Sequence, residues 1–193
     1  MDNYLLYDKH IDHITRKVNG ILMYINRIKD KIDRPTRLTL VQSLALSVIN
    51  YCSRVWGITT KEQLQRVQKI QNFAAKIVHG GLRKYDHVSP IIKDLKWLNV
   101  NNKITYDICV FMYKILNSLL PNWLFSFLSV REVNNRPTRQ ASDLFIRRTK
   151  TDIGKRSLAI NGPKLWNSIP QYIKDSSSEH AFKEKLKCFL LSN

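Results

Sequence analysis

The chain has 193 residues, a hydrophobic fraction of 44% and a formal net charge of +17. Its length and apolar content are those of one or two globular domains and exclude a wholly disordered chain. The charge is far larger than solubility requires, so it favours a polyanionic partner. Nucleic acid fits best, because Lys and Arg that neutralise phosphates release condensed counterions. An anionic membrane surface and ribosome-like or histone-like packing are the alternatives.

The first ten residues lack the basic region and the apolar run of a secretory signal. The longest uncharged stretch, residues 38–53, is interrupted by polar residues and is shorter than the roughly 20 apolar residues that span a bilayer. We therefore expect an intracellular protein, nuclear or cytoplasmic, without a membrane partner. Cys52, Cys109 and Cys188 are far apart and lie in apolar helical patterns, which predicts reduced core thiols.

The N-terminal part of the chain has the apolar periodicity of helices. Apolar residues recur at steps of three and four from Ile11 to Ile32, which predicts an amphipathic helix. The outer face of this helix is basic and carries Arg16, Lys17, Arg27, Lys29 and Lys31. A second run, from Pro35 to Gly57, is apolar nearly all round, so we expect it to be central and buried.

Start and stop signals continue this helical pattern towards the middle of the chain. Thr59 with Glu62 has the spacing of a capping box, and Gly80 with Gly81 marks the end of that helix. Two further helices are expected to begin at Ser89 and Asn102, the second stopping before Pro121. Apolar periodicity lapses after Leu128. There we place a boundary between a helical bundle, residues 1–128, and a basic extension, residues 129–193.

The extension contains the densest cluster of cations. Two short β-capable runs, residues 144–148 and 156–160, flank Asp152 and Gly154, which predicts a β-hairpin with a loop of more than two residues. Its arms and loop carry Arg147, Arg148, Lys150, Lys155 and Arg156, between the apolar anchors Phe145 and Leu158. One basic edge of this hairpin is therefore our best candidate for a surface that follows a phosphate backbone; a solvated basic face without a partner is the alternative.

The last residues complete a mainly α fold. Asn161, Gly162 and Pro163 are expected to turn the chain. Ser176 with Glu179 then predicts the cap of a final helix. The fold class that follows is a helical bundle, then a small basic β-hairpin, then a C-terminal helix.

Other residue types that carry chemistry give weaker signals. The tryptophans Trp56, Trp97, Trp123 and Trp166 are candidates for stacking on unpaired bases, but their apolar surroundings favour core packing. Tyr51, Tyr106 and Tyr113 are interpreted in the same way. His10 and His13 have no further ligand at a matching spacing. We predict no metal site, no cofactor and no catalytic triad or phosphate-binding loop.

Six sequence segments are informative. In chain order they are YCSRVWG from Tyr51, LQRVQKIQNFAAKIV from Leu64, PIIKDLKWL from Pro90, FMYKILNSLLPNWL from Phe111, RSLAINGPKLWNSIP from Arg156 and FKEKLKCFL from Phe182. Together they resemble the region that follows the palm in reverse transcriptases of jockey-group non-LTR (LINE-type) retrotransposons. The resemblance covers nearly the whole chain. It implies that the first helices are thumb-like and grip a template–primer duplex, and that the rest is a C-terminal extension.

The resemblance also implies partners and site residues. Arg16, Lys17 and Arg27 would face the duplex, and the partners would be an RNA–DNA hybrid or retrotransposon RNA, with the palm and fingers of a full-length polymerase as further neighbours. Polymerase chemistry needs paired carboxylates to hold two metal ions, and the adjacent Asp-Asp pair of reverse transcriptases does not occur in the sequence. We therefore expect no catalytic centre, and a chain that is a truncated copy, a gene fragment or a reused remnant.

Two classes of function stay open at this point. The leading hypothesis is sequence-nonspecific binding of nucleic acid through its phosphates. The alternative is a non-enzymatic interaction or scaffold protein derived from the retrotransposon, or a gene fragment without a function of its own.

Overall fold

The computed structural model describes residues 6–81, 86–127 and 143–192, and this part of the chain is mainly helical. The chain divides into two compact units, Met1–Ile104 and Thr105–Asn193. The domain boundary predicted after Leu128 lies outside the described residues. Within the described ranges, the helices are too short or too polar to cross a membrane.

The first unit is built from helices of very different lengths. In chain order they are α1 (Asp8–Ile28), α2 (Arg34–Leu40), α3 (Ser47–Asn50), α4 (Ser53–Trp56), α5 (Lys61–His79), α6 (Ser89–Asp94) and the start of α7 (Val100–Leu116). A 3₁₀ turn, Lys29–Lys31, follows α1, and a π-helical segment, Val41–Leu46, joins α2 to α3.

Helices α1 and α5 form the main packing of the first unit. Of the predicted apolar stripe, Ile11, Ile14, Val18, Leu22 and Ile25 are buried, whereas Ile21, Ile28 and Ile32 are half-buried. The helix ends at Ile28 rather than at the predicted Ile32, so Lys29 and Lys31 lie in the 3₁₀ turn that follows it. Side chains at the edge of this contact fix how the two helices align. The Gln63 amide donates to the Asp8 carboxylate at 2.6 Å, and Arg66 forms an ion pair with Asp12 at 2.5 Å. The prediction of an amphipathic first helix is confirmed.

The run from α2 to α3 departs from the sequence prediction. The hydroxyls of Thr39, Ser43 and Ser47 each donate to the carbonyl four residues earlier, a contact that disturbs a regular helix and here coincides with the π segment. Val41, Ala45 and Ile49 on one face are buried, whereas Leu44 is exposed, as is Val55 in α4. The predicted single helix from Pro35 to Gly57 is also interrupted between α3 and α4, where Cys52 has a φ of 50°. The prediction of a helix buried all round is therefore wrong.

The ends of α5 show how local chemistry sets helix boundaries. Thr60 is the N-cap, and its hydroxyl accepts a hydrogen bond from the Gln63 N–H at 3.4 Å. The predicted cap, Thr59, lies one residue too early and instead donates its hydroxyl to the Leu6 carbonyl. At the other end Gly80 has a φ of 87°, the left-handed conformation that favours glycine, so the predicted C-cap is confirmed.

In the part that the structure describes, the second unit contains the rest of α7 and four further helices. These are α8 (Asp152–Arg156), α9 (Leu158–Asn167), α10 (Gln171–Lys174) and α11 (Glu179–Ser192); a 3₁₀ segment, Asn122–Phe127, follows α7. Three rings form the centre of the core. Phe182 stacks on Tyr113 with ring centroids 4.4 Å apart and on Trp166 with centroids 5.7 Å apart. The Tyr113 hydroxyl donates to the Ser176 carbonyl at 2.9 Å, which satisfies its buried polar end.

The predicted β-hairpin is wrong, because the residues that the structure describes contain no β-strand. Its expected second arm is divided between the end of α8 and the start of α9, with an extended Ser157 between them, and α9 runs through Gly162 and Pro163, the residues expected to turn the chain. Ile160, Pro163 and Trp166 recur at helical spacing and are buried. Tertiary packing of this face therefore prevails over the local breaker signals of Gly and Pro. The final helix is confirmed, although its capping residue is Ser178 rather than Ser176: the Ser178 hydroxyl accepts a hydrogen bond from the Ala181 N–H at 3.2 Å.

Burial agrees only in part with the expectations for cysteines and aromatic residues. Cys109 is buried, but Cys52 and Cys188 are exposed, so they are not core thiols. Trp56, Trp97 and Trp166 belong to the core as predicted. In contrast, Trp123 and Tyr51 are exposed, and the core interpretation of these two side chains is wrong.

Candidate nucleic-acid interface

The cations predicted to lie on the hairpin are carried in part by a non-helical segment that precedes α8. We call this segment, residues 143–150, the arm. Leu144 is buried, with 6% of its surface exposed, whereas the next four residues, Phe145 to Arg148, are all exposed. The arm therefore leaves the core at Leu144 and presents four consecutive side chains to solvent.

Two side chains hold the first end of the arm. The Asn167 amide group accepts a hydrogen bond from the Leu144 N–H and donates one to the Leu144 carbonyl, both at 2.9 Å. Lys174 forms an ion pair with Asp143 at 3.3 Å, and only 7% of the lysine side chain is exposed. A buried ammonium group is costly without a carboxylate partner, so this pair favours a fixed position for Asp143.

The second end of the arm is held against α8. A Cβ atom added to Gly154 would lie 3.1 Å from the Thr149 Cβ, so a glycine here allows the arm to approach the helix closely. Thr151 caps α8 by accepting a hydrogen bond from the Gly154 N–H at 3.2 Å. The exposed residues of the arm therefore lie between two fixed ends.

The structure brings together three of the five cations predicted for this site. Arg147, Arg148 and Lys150 follow one another along the arm and are exposed. Lys155 and Arg156 lie instead on α8, where Lys155 is exposed and Arg156 is half-buried. The Asp143 and Asp152 carboxylates are both engaged by lysines.

Lys155 contacts Asp152 at 2.9 Å. The hydrogen bond and the positive charge of Lys155 lower the pKa of the Asp152 carboxyl group. Of the two predicted cations on α8, one is therefore paired with a carboxylate and the other is only half-exposed. Neither lies on a second strand beside the arm, as the hairpin prediction required.

The remaining predicted site residues lie on α1, in the first unit. Arg16, Lys17 and Arg27 are exposed, on the side of the helix away from its buried stripe. Between them Gly20 faces open space, since nothing lies within 4 Å of an added Cβ atom. Met23 and Tyr24 are exposed beside it. This face is a second basic surface, and it belongs to a different unit from the arm.

The residues that hold the arm are those that the sequence analysis missed. Asn167 and Lys174 lie 23 and 31 residues beyond their partners Leu144 and Asp143, and local periodicity does not report such a contact. The prediction of Gly154 as a residue of a hairpin loop is wrong, because it lies in α8.

The remaining chemistry of the described residues does not indicate a metal-dependent site. No group of three or more His, Cys, Asp or Glu side chains is placed to hold a metal ion among them. His10 instead lies next to Trp56, with ring centroids 6.4 Å apart.

Comparisons with known proteins give no match: no family model, no curated protein and no solved structure is similar to this chain.

Proposed function

We propose that this chain binds nucleic acid through its phosphate backbone, without reading base sequence. We further propose that it corresponds to the part of a jockey-group retrotransposon RNA-directed DNA polymerase that follows the palm, and that it carries no catalytic centre. The observation that carries the binding proposal is the arm, in which Arg147, Arg148 and Lys150 are exposed between two fixed ends. The proposed origin is supported by the six ordered strings from Tyr51 to Leu190.

Fixed ends make the arm better suited to binding than a flexible tail of the same composition. A flexible tail loses conformational entropy when it binds, whereas a segment already held in place loses less. Phosphate contacts from Arg are also strong, because its planar guanidinium can donate two parallel hydrogen bonds to one phosphate. Such contacts fix a nucleic acid in position but carry no sequence information.

The charge of the whole chain supports the same partner. In each unit Lys and Arg outnumber Asp and Glu about two to one. The exposed face of α1, with Arg16, Lys17 and Arg27, adds a second surface for phosphates in the first unit. By resemblance to a polymerase thumb, this second surface would contact a template–primer duplex.

The binding proposal is tested by the salt dependence of affinity for an RNA–DNA hybrid. Changing Arg147→Glu and Arg148→Glu together should weaken binding to all base sequences alike. It should also flatten the slope of log affinity against log salt by about one unit for each lost contact. Arg156 is left unchanged, because it is half-buried and its substitution would mix binding with stability.

A matched control lies in the same unit. Lys185→Glu with Lys187→Glu makes the same change in net charge at two exposed positions of α11, which is not part of the arm. If both double variants lose affinity equally, net charge rather than the arm governs binding, and the Arg16, Lys17 and Arg27 face becomes the next surface to change. Wild-type binding that is absent or independent of salt contradicts the proposal itself.

The proposed lack of a catalytic centre has its own test. Two-metal polymerase chemistry requires carboxylates that hold both ions, and the sequence contains no adjacent Asp-Asp pair. We expect the purified chain to leave a primer unextended with Mg²⁺ or Mn²⁺. Extension above a heat-inactivated sample would contradict this expectation.

A further inference from the structure

The arm exposes two large apolar side chains next to its arginines. Phe145 has 45% of its surface exposed and Ile146 has 39%. The prediction that Phe145 is an apolar anchor is wrong, because the buried residue at this end of the arm is Leu144. The contacts that hold the arm come from Asn167, Lys174 and the approach of Thr149 to Gly154. None of these three contacts involves the phenyl ring of Phe145.

From this geometry we infer that Phe145 is a stacking platform for an unpaired base, and that the arm therefore binds single-stranded nucleic acid in preference to a duplex. This inference rests on the proposed function and names the form of nucleic acid that the arm takes.

An unpaired strand offers both phosphates and exposed bases, and this part of the arm carries groups that bind each of them. Proteins that bind single strands combine cations that contact the backbone with aromatic rings on which bases stack, and they need no base sequence because every base has a π-face. Arg147 and Arg148 follow Phe145 by two and three residues, so one short segment offers both a ring and cations. In a duplex the bases are already stacked on one another, so a lone exposed ring gains no partner there.

An anionic membrane surface is a poorer match for the same side chains. Interfacial binding scales with the apolar area that enters the headgroup region, and it is usually supplied by a whole helix face. The arm offers only two half-exposed apolar residues, and it is not helical. Two such side chains provide too little apolar area to hold a chain at a bilayer.

The test compares Phe145→Ala with wild type on three probes: oligothymidylate, oligouridylate and a fully paired duplex. Loss of one base–aromatic stack should weaken binding to the single strands by about tenfold, within the range measured for such contacts. Binding to the duplex should stay unchanged. The two single strands separate the sources of the ligand, because preference for one of them assigns the arm to DNA or to RNA.

Two further variants make the result specific. Phe145→Trp should bind single strands as wild type does, because the indole ring can also stack on a base. The fluorescence of the introduced indole, measured as the difference between the variant and wild type, should be quenched when a single strand binds. Tyr172→Ala is the matched control, since Tyr172 is an aromatic residue of the same unit with 59% of its surface exposed. We expect its affinity for all three probes to equal that of wild type.

The inference is overturned if Phe145→Ala, folded by circular dichroism, binds single strands as wild type does. Equal weakening on single strands and duplex also overturns it. Loss of binding to phosphatidylserine vesicles, with unchanged binding to oligonucleotides, would assign the ring to a membrane instead. In each of these outcomes the proposed function stands as long as the salt slope of wild type and its change in the Arg147, Arg148 variant are observed.

Discussion

The three cysteine thiols should differ in reactivity, because one of them is buried and two are exposed. Cys109 lies in the core of the second unit, and burial raises its pKa to about 12, although the nearby charge of Lys174 acts in the opposite direction. The thiolate is the reactive form, so Cys109 stays protonated and inert throughout the physiological range. At a pH near 8, iodoacetamide should label the exposed Cys52 and Cys188 in the native protein, and all three cysteines after denaturation. Mass spectrometry that finds Cys109 labelled in the native protein would contradict this burial.

Replacing Asn167 should destabilise the protein more than replacing an exposed asparagine does. Replacing it with Ala removes both hydrogen bonds to the buried Leu144 and leaves that residue's N–H and carbonyl without these partners. Buried polar groups without partners cost about 1–3 kcal/mol. We therefore expect Asn167→Ala to lower the free energy of unfolding by this amount, measured by urea denaturation.

Asn117→Ala is the control for this change. Asn117 is exposed and directly follows α7, and its side-chain amide donates a hydrogen bond to the Tyr113 carbonyl at 2.9 Å. Its loss should cost less than about 0.5 kcal/mol. Equal effects of the two substitutions would mean that the amide of Asn167 does not hold the arm.

At the scale of whole helices, replacing each of two glycines with alanine should change the stability of the first unit in opposite directions. Gly20 lies in the middle of α1 and faces open space, so Gly20→Ala should stabilise the helix by up to about 1 kcal/mol. At Gly57, which follows α4, an added Cβ would lie only 2.8 Å from Ile104, with a still closer contact to the Ser53 carbonyl. Gly57→Ala should therefore destabilise by about 1–3 kcal/mol.

The midpoint of thermal unfolding, followed by circular dichroism, should rise for the first variant and fall for the second. Because both changes add the same methyl group in the same unit, intrinsic helix propensity alone predicts no difference in sign at these two sites. A fall in the midpoint for Gly20→Ala would show that this glycine is packed against something in solution.

The long helices could be predicted from sequence, because their apolar residues repeat over many turns and every turn adds evidence. The stripe from Ile11 to Ile25 is an example. The region of α8 and α9 could not be predicted in this way. Its apolar runs are only about five residues long, and its Gly and Pro have turn propensity, whereas the helix depends on burial of Ile160 and Trp166 in the core. Contacts between distant parts of the chain determine the secondary structure of such short segments.

At the scale of the whole molecule, charge was visible from composition, but the geometry that makes a site was not. The cations Arg147 and Arg148 were predicted as candidates from their density alone. Their presentation depends on Asn167 and Lys174, which contact the start of the arm across a long stretch of chain. Sequence periodicity reports the faces of single helices, so it could not report these contacts.

Because the net charge is +17, we expect salt to have opposite effects on the stability of the free protein and on the stability added by a bound nucleic acid. In the free chain like charges repel one another, so salt should raise the midpoint of thermal unfolding by screening them. A bound nucleic acid at about a hundred times its dissociation constant adds about 2.7 kcal/mol to stability. Salt weakens this binding steeply, so the added stability should fall as salt rises. Unfolding curves with and without an oligonucleotide should therefore converge at high salt, and curves that stay parallel would mean that phosphate contacts do not stabilise this protein.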